Sequence, residues 1–338
     1  MPRERRALVY ALTAVVLWST VATAFKLGLR FATPLQLIAG ASLISWLIFA
    51  AADRRAASAA PMRRQAVLAA MGLGLLNPLL YYLLLLAGYD RLPAQLAQPL
   101  NYTWALWLAL LALPLQRQPL RRPVIFGILC AIAGVALLAR RDATLGPVDP
   151  LGVALLLASA VLWALYWLLQ TALPVLAELT PLRRLHIGFA TATPLLLLGA
   201  GAVDGWPAWS PALLGLILWI GAIEMGFTFL LWQRALALTD NSARIGQLIF
   251  LSPLLALLPI TLVLGEPLRP QAIGGLALIL LGLLVAQRDR PQAAAGQHDR
   301  IHGDRIHGDR VHGDRIHGDP SPSDSLHVPV TDSAPRKR

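Results

Sequence analysis

Apolar residues in this chain come in long blocks separated by short clusters of charge, Pro and Gly. An α-helix needs about 20 apolar residues to cross a hydrocarbon layer. Ten blocks approach that length, at 8–28, 35–52, 65–86, 93–115, 121–139, 150–170, 182–203, 211–233, 241–264 and 270–287. The linkers often hold Pro, Gly or Asp, as in Gly146-Pro147-Val148-Asp149-Pro150, and none is long enough for a soluble catalytic domain. The pattern predicts an all-α integral membrane protein with ten transmembrane helices. The first block also has features of a signal peptide: a basic start at Arg3, Arg5 and Arg6, and Ala22-Thr23-Ala24 as a cleavage-site mimic. Its apolar stretch is long for that role and nine more blocks follow, which favours a retained helix.

Composition agrees with the pattern. The hydrophobic set makes up 57% of 338 residues and charged residues only 14%, against roughly 25% charged in soluble chains. A net charge of +11 raises the question of nucleic acid, but the charges fall between apolar runs and not along one face, so no nucleic-acid partner is expected. They obey instead the rule that Lys and Arg collect in cytoplasmic loops. With the N-terminus inside, sixteen Arg fall on the cytoplasmic side and five, Arg30, Arg91, Arg140, Arg141 and Arg269, on the other. Both termini should therefore face the cytoplasm in a multi-pass protein. Cys130 is the single cysteine, so an intrachain disulfide is impossible.

Past residue 288 the chain turns polar and repeats Ile-His-Gly-Asp-Arg at 301–305 and 306–310, with close variants at 311–315 and 316–320. Regularly spaced imidazoles could capture metal, but a disordered, expanded repeat is the better reading, because too few apolar residues are available to offset ordering entropy. No metal site and no cofactor are expected.

The membrane region repeats internally. Leu17-Trp18 matches Leu162-Trp163 at an offset of 145, Thr33-Pro34 matches Thr180-Pro181 at 147, and Pro119-Leu120-Arg121 matches Pro267-Leu268-Arg269 at 148. At that last offset Gly127 and Gly134 pair with Gly275 and Gly282. Residues 1–142 and 143–288 are thus read as two five-helix repeats, and 289–338 as a cytoplasmic tail. Five spans per half is odd, so the second half enters the membrane inverted. Inverted repeats are a transporter architecture with the solute site near the midplane, and they give two near-equivalent packings for alternating access.

These features resemble the EamA branch of the drug/metabolite transporter superfamily: two inverted halves, Trp in spans 1 and 6, and Gly-rich spans 5 and 10. Val16-Leu17-Trp18-Ser19-Thr20, Asn101-Tyr102-Thr103-Trp104 and Leu162-Trp163-Ala164-Leu165-Tyr166 resemble its YddG-type aromatic amino-acid exporters more closely. The resemblance covers about residues 7–288. It implies export of amino acids, aromatic and other neutral ones, across a bacterial inner membrane, with broad tolerance of the side chain.

Helical periodicity sorts the candidate residues. Ser159, Trp163, Tyr166, Trp167 and Gln170 share an arc of about 100° on span 6, and Gln95, Gln98, Asn101 and Tyr102 share roughly 120° on span 4. Asn77 and Tyr81 share a face of span 3, with Tyr82 to one side. Aromatic rings with amides and hydroxyls suit a zwitterion carrying an apolar side chain, and amides facing lipid would be costly. The expected substrate-binding set is Trp18, Ser19, Tyr81, Tyr82, Gln98, Asn101, Tyr102, Trp163 and Tyr166. The competing reading is plain packing or interfacial anchoring, which suits Trp206 and Trp209. Pro99 and Pro253 should kink spans 4 and 9. Two charges lie within spans. Lys26 either snorkels to the outer interface or meets a substrate carboxylate, and Glu224 either packs in protonated form or couples transport to protons.

Other classes fit less well. No Walker-type loop supports direct use of ATP. An enzyme would need a clustered acid, base or metal set, and His186, alone outside the tail, has no carboxylate near it in sequence. A non-transporting membrane sensor remains a distant alternative, as does a carrier of another small metabolite or drug. A sugar phosphate would want several cations in the spans, and only Lys26 is available.

Overall fold

The computed structural model describes residues 2–56, 62–115, 121–138 and 148–287. The tail repeats and the loop residues Arg117, Arg140, Arg141 and Gly146-Pro147 lie outside the described residues.

Every regular element among the described residues is helical. In chain order they are α1 (Arg3–Gly28), α2 (Pro34–Ala56), α3 (Arg64–Arg91), α4 (Ala94–Tyr102), α5 (Trp104–Leu115), α6 (Arg122–Leu138), α7 (Pro150–Ala172), α8 (Pro181–Asp204), α9 (Pro211–Leu238), α10 (242–264) and α11 (Pro270–Gln287). Seven helices among the described residues are long and apolar enough to cross a membrane, and α6 and α11 are shorter apolar helices. Large apolar side chains point outward on several of them, such as Leu198, Leu258 and Leu262 at 72%, 65% and 73% exposure. Such a surface suits lipid and not water. Proline or a hydrogen-bonding cap fixes many of the helix starts. Pro150, Pro181 and Pro211 each occupy the first turn, behind Asp149, Thr180 and Ser210, whose side chains accept from the exposed N–H groups.

The packing seams use small residues, as expected where no hydrophobic force drives helices together. A Cβ added to Gly127 would lie 2.6 Å from the Gly282 carbonyl oxygen, and one on Gly134 would lie 2.7 Å from that of Gly275. Rising number on α6 meets falling number on α11, so the two helices run antiparallel. Gly74 on α3 comes equally close to the Gly188 backbone on α8, and Gly221 on α9 to that of Ala41 on α2.

Several expected spans are broken inside the membrane. The ladder of α1 tightens at Thr20, whose hydroxyl donates to Leu17 O. Asn77, at φ −143° and ψ 117°, interrupts α3 within a π-helical stretch, Leu75–Leu80, and the Asn77–Pro78 peptide is cis. A second π stretch, Trp219–Phe227, lies in α9 and carries Glu224. Pro99 stays within α4, and the break comes after it at Thr103. Near Pro253, α10 passes through a 3₁₀ turn, Leu248–Leu251, before continuing as Ser252–Leu264.

Polar contacts sort to two ends. At one end Lys26 Nζ donates to the carbonyls of Tyr89 and Leu92 at 2.8 and 3.1 Å, Thr33 bonds to Asp204, and Arg91 pairs with Asp149 at 3.1 Å. The Arg91 guanidinium holds the Asp149 carboxyl below its usual range. At the other end Glu4 accepts from Asp240 N–H and Thr239, and Arg63 pairs with Glu178. There too Asp53, 5% exposed, accepts from Arg183 Nε at 2.7 Å and meets His186 Nδ1 at 2.7 Å. His186 therefore does have a carboxylate partner, brought to it from 133 residues away.

Candidate functional site

The faces read from helical periodicity converge at mid-height of the bundle. Trp163 of α7 stacks on Tyr81 of α3, with ring centroids 4.5 Å apart at 26°, and lies 5.7 Å from Tyr166 at 21°. The Tyr81 hydroxyl reaches Asn101 Oδ1 of α4 at 3.4 Å, and Asn101 Nδ2 donates to Ser159 Oγ of α7 at 3.1 Å. Ser159 in turn donates to Leu156 O of its own helix. Three helices thus share one chain of polar contacts beside a stacked aromatic pair.

The second half contributes α9 as well as α7. Phe229 meets Trp163 edge-on at 6.0 Å and Trp18 at 5.7 Å, and Trp18 also packs against Trp232. The Tyr82 hydroxyl approaches Glu224 Oε1 at 3.4 Å, which is long for an O–H···O bond. Glu224 is 8% exposed, its Oε2 has no partner, and no Lys, Arg or His pairs with it among the described residues. Gln98 Oε1 and both side-chain polar atoms of Asn77 are likewise buried without a partner. Most buried polar groups are hydrogen-bonded and exceptions need a reason. Asn77 and Glu224 lie within the irregular stretches of α3 and α9, and π stretches are frequent at functional sites.

The remaining expected residues fall into place differently. Ser19 spends its hydroxyl on Val16 O, within its own helix. Tyr102 leaves the Asn101 network and lies beside Ser252 of α10. Lys26 is taken up by the two backbone carbonyls at the end of α3. Phe229, Trp232 and Ser252 border the cluster without having been singled out, since nothing in sequence separates them from other apolar or hydroxyl positions. Asn77 and Ser159 were legible as members of their helix faces. Tyr166 lies beside Asn77, which makes no hydrogen bond of standard geometry.

The stacked rings of Tyr81 and Trp163 leave no gap between them. An open cleft of about 350 Å³ lies elsewhere, between α5, α6 and α7, lined by Leu106, Trp107, Leu110, Ile128 and Ile132. It offers almost no hydrogen-bonding surface and suits acyl chains, not a zwitterion. No cluster of three or more His, Cys, Asp or Glu that could hold a metal occurs among the described residues.

Comparison with known proteins addresses the whole chain. No curated protein matches it. A solved structure, described only as the crystal structure of a protein, superposes with a TM-score of 0.59 at 23% identity, over 83% of this chain and 98% of its own. That likeness concerns the fold alone. The model of the EamA-like transporter family matches twice, over residues 5–140 and 150–287. The two matched stretches take in the whole helical region and all residues of the central cluster, so this multi-pass membrane chain belongs to the EamA-like transporter family, within the drug/metabolite transporter superfamily.

Proposed function

We propose that the protein is a secondary carrier that exports amino acids, aromatic and other neutral ones, across a bacterial inner membrane by alternating access. Counting α4 and α5 as one span broken at Thr103 gives ten spans in two five-helix halves, with both termini cytoplasmic. Close contacts that recur at the repeat offset support inverted halves. An offset of 148 carries the Gly127–Gly282 contact onto Gly275–Gly134, and 147 carries Gly74–Gly188 onto Gly221–Ala41. Antiparallel packing of the equivalent helices α6 and α11 is what an in-plane two-fold axis requires.

The substrate class rests on one observation: the stacked Tyr81–Trp163 pair lies beside the Tyr81–Asn101–Ser159 chain of polar contacts. Rings accept an apolar or aromatic side chain, and amide and hydroxyl groups orient the ammonium and carboxylate. At a centroid separation of 4.5 Å the two rings leave no space between them, so in this reading a solute ring that stacks between Trp163 and Tyr81 requires them to part. Trp18, Tyr82, Gln98, Tyr102 and Tyr166 complete the lining in this reading. Counterflow of labelled tryptophan, phenylalanine, threonine and methionine in proteoliposomes tests it. Exchange of several of them is expected. No exchange by folded protein would remove amino acids as the substrate.

Glu224 favours a second element, coupling to protons. A carboxylate within a span is costly unless it pairs or takes up a proton, and this one has an oxygen with no partner. Glu224→Gln should abolish stimulation of export by a pH gradient and retain exchange. Unchanged stimulation would exclude coupling through this residue and leave another small metabolite or drug without its proposed driving ion.

A further inference from the structure

Equivalent helices of the two halves begin with different caps. Aligned at the 148-residue offset of the Pro-Leu-Arg segments, Pro93 corresponds to Asn241 and Gln118 to Glu266. Asn241 caps its own helix, α10: its Oδ1 accepts from Arg244 N–H at 2.9 Å. Pro93 precedes α4 and has no side-chain acceptor to offer. The exposed N–H groups of α4 turn instead to the other half. Glu266, in the loop between α10 and α11, accepts from Ala94 N–H at 2.9 Å through Oε1 and from Gln95 N–H at 3.1 Å through Oε2. Gln95, 1% exposed, returns the contact: Nε2 donates to Pro267 O at 2.7 Å, and Oε1 accepts from Arg269 N–H at 3.3 Å.

From this arrangement we infer that Glu266 is the latch of one gate: it serves as the helix cap that α4 lacks, holds α4 against the second half, and sets which end of the carrier rests closed. The inference builds on the alternating-access reading. The helix α4 runs from this joint directly to Gln98 and Asn101, so it connects the latch to the central cluster. The first-half side of the joint is firm, because Lys26 ties the end of α1 to the carbonyls of Tyr89 and Leu92 just ahead of α4. Any movement that draws α4 away from the α10–α11 loop strips a helix N-terminus of the Glu266 carboxylate.

The opposite end is built without that penalty. There the equivalent helix start is capped by Asn241 from within, and in sequence the position equivalent to Glu266 is a neutral glutamine, Gln118, which lies outside the described residues. An anion at a helix N-terminus, accepting charge-assisted bonds, is held more strongly than a neutral acceptor. The two closures of a pseudo-symmetric carrier are therefore unequal, with the Glu266 end favoured shut. With the N-terminus cytoplasmic this end is outermost, so the empty carrier rests open to the cytoplasm, where an exporter loads.

The test reads access without any solute. In a Cys130→Ala background, Gln98→Cys places a thiol on α4 between latch and cluster, and a membrane-impermeant maleimide is applied from the Glu266 side of oriented proteoliposomes. Glu266→Gln should label roughly twofold to fivefold faster, the range expected for loss of a helix-terminal charge. Pro93→Asn should do the same with Glu266 intact, because α4 then caps itself as α10 does. Unchanged labelling in both folded variants overturns the proposal, and if Glu266→Gln yields no monodisperse protein, Pro93→Asn alone decides. Exchange is measured separately on proteins that keep Gln98: faster labelling of the thiol variants, with no amino-acid exchange by the protein that keeps Gln98, keeps the latch and removes the substrate. Normal exchange with unchanged labelling keeps the carrier and removes the latch.

Discussion

Along α6 and α11 the halves touch backbone to backbone, whereas around Trp163 they touch through large side chains that leave hydrogen-bonding atoms unused. The first seam contains Gly127, Gly134, Gly275 and Gly282, with carbonyl oxygens of one helix filling the space where a Cβ of the other would stand. Where the neighbour is a carbonyl oxygen, no rotamer change can relieve a misfit. The second region contains Tyr81, Asn101, Trp163 and Glu224, with long O···O contacts and buried atoms without partners. Close packing resists deformation, and partly satisfied polar networks are where a protein can exchange its own contacts for those of a ligand. The seam is built to hold the halves together, and the centre is where the proposed function has solute handled.

The largest effect should come from filling the seam. Gly127→Leu drives a branched side chain into the Gly282 carbonyl, and overpacking of this kind costs about 1–3 kcal/mol or more. The expected result is loss of monodisperse protein on size exclusion. Gly134→Ala, with its Cβ 2.7 Å from Gly275 O, should lower the melting temperature by several degrees and leave exchange per folded molecule unchanged. Trp163→Ala should invert that outcome, with stability close to normal and tryptophan counterflow reduced about tenfold, which corresponds to ~1.4 kcal/mol of binding. The smallest effect concerns the exposed pair at one end. The Asp149 carboxyl is held below its ordinary range by Arg91, so its contribution is present above the unfolded-state pKa and fades as pH falls through the lower folded value. Asp149→Ala should lower the melting temperature only slightly at neutral pH, and the difference should vanish in acid, as a thermal melt series would register.

How much of this was legible in the sequence follows from how local each feature is. Span positions, the repeat, and the shared faces of Tyr81, Asn101, Ser159 and Trp163 are properties of single helices or fixed offsets, and the central cluster joins those faces. Glu224 was legible as an intramembrane acid, although its approach to Tyr82 was not. Lys26, read as either interfacial or substrate-facing, is held by carbonyls 63 and 66 residues away, and no periodicity encodes such a partner. The same distance hides Asp53 from His186. Breaks within helices were legible only in part. Proline marks a weak point in the ladder, but α4 carries Pro99 without ending there, while α3 departs from helix at Asn77, one residue before Pro78. The cap supplied by Glu266 was invisible for a related reason: Pro93 reports that a cap is missing, and nothing local says where it comes from.

The central claim is that solute passes through the aromatic and amide cluster while the glycine seam serves as structure. Its most direct test is tryptophan counterflow and thermal melting measured together on the unaltered protein, Trp163→Ala and Gly134→Ala. The account predicts that Trp163→Ala loses exchange at a near-normal melting temperature, and that Gly134→Ala loses stability at normal exchange per folded molecule. Full exchange by Trp163→Ala, with transport lost instead in a stable Gly134→Ala protein, would contradict it.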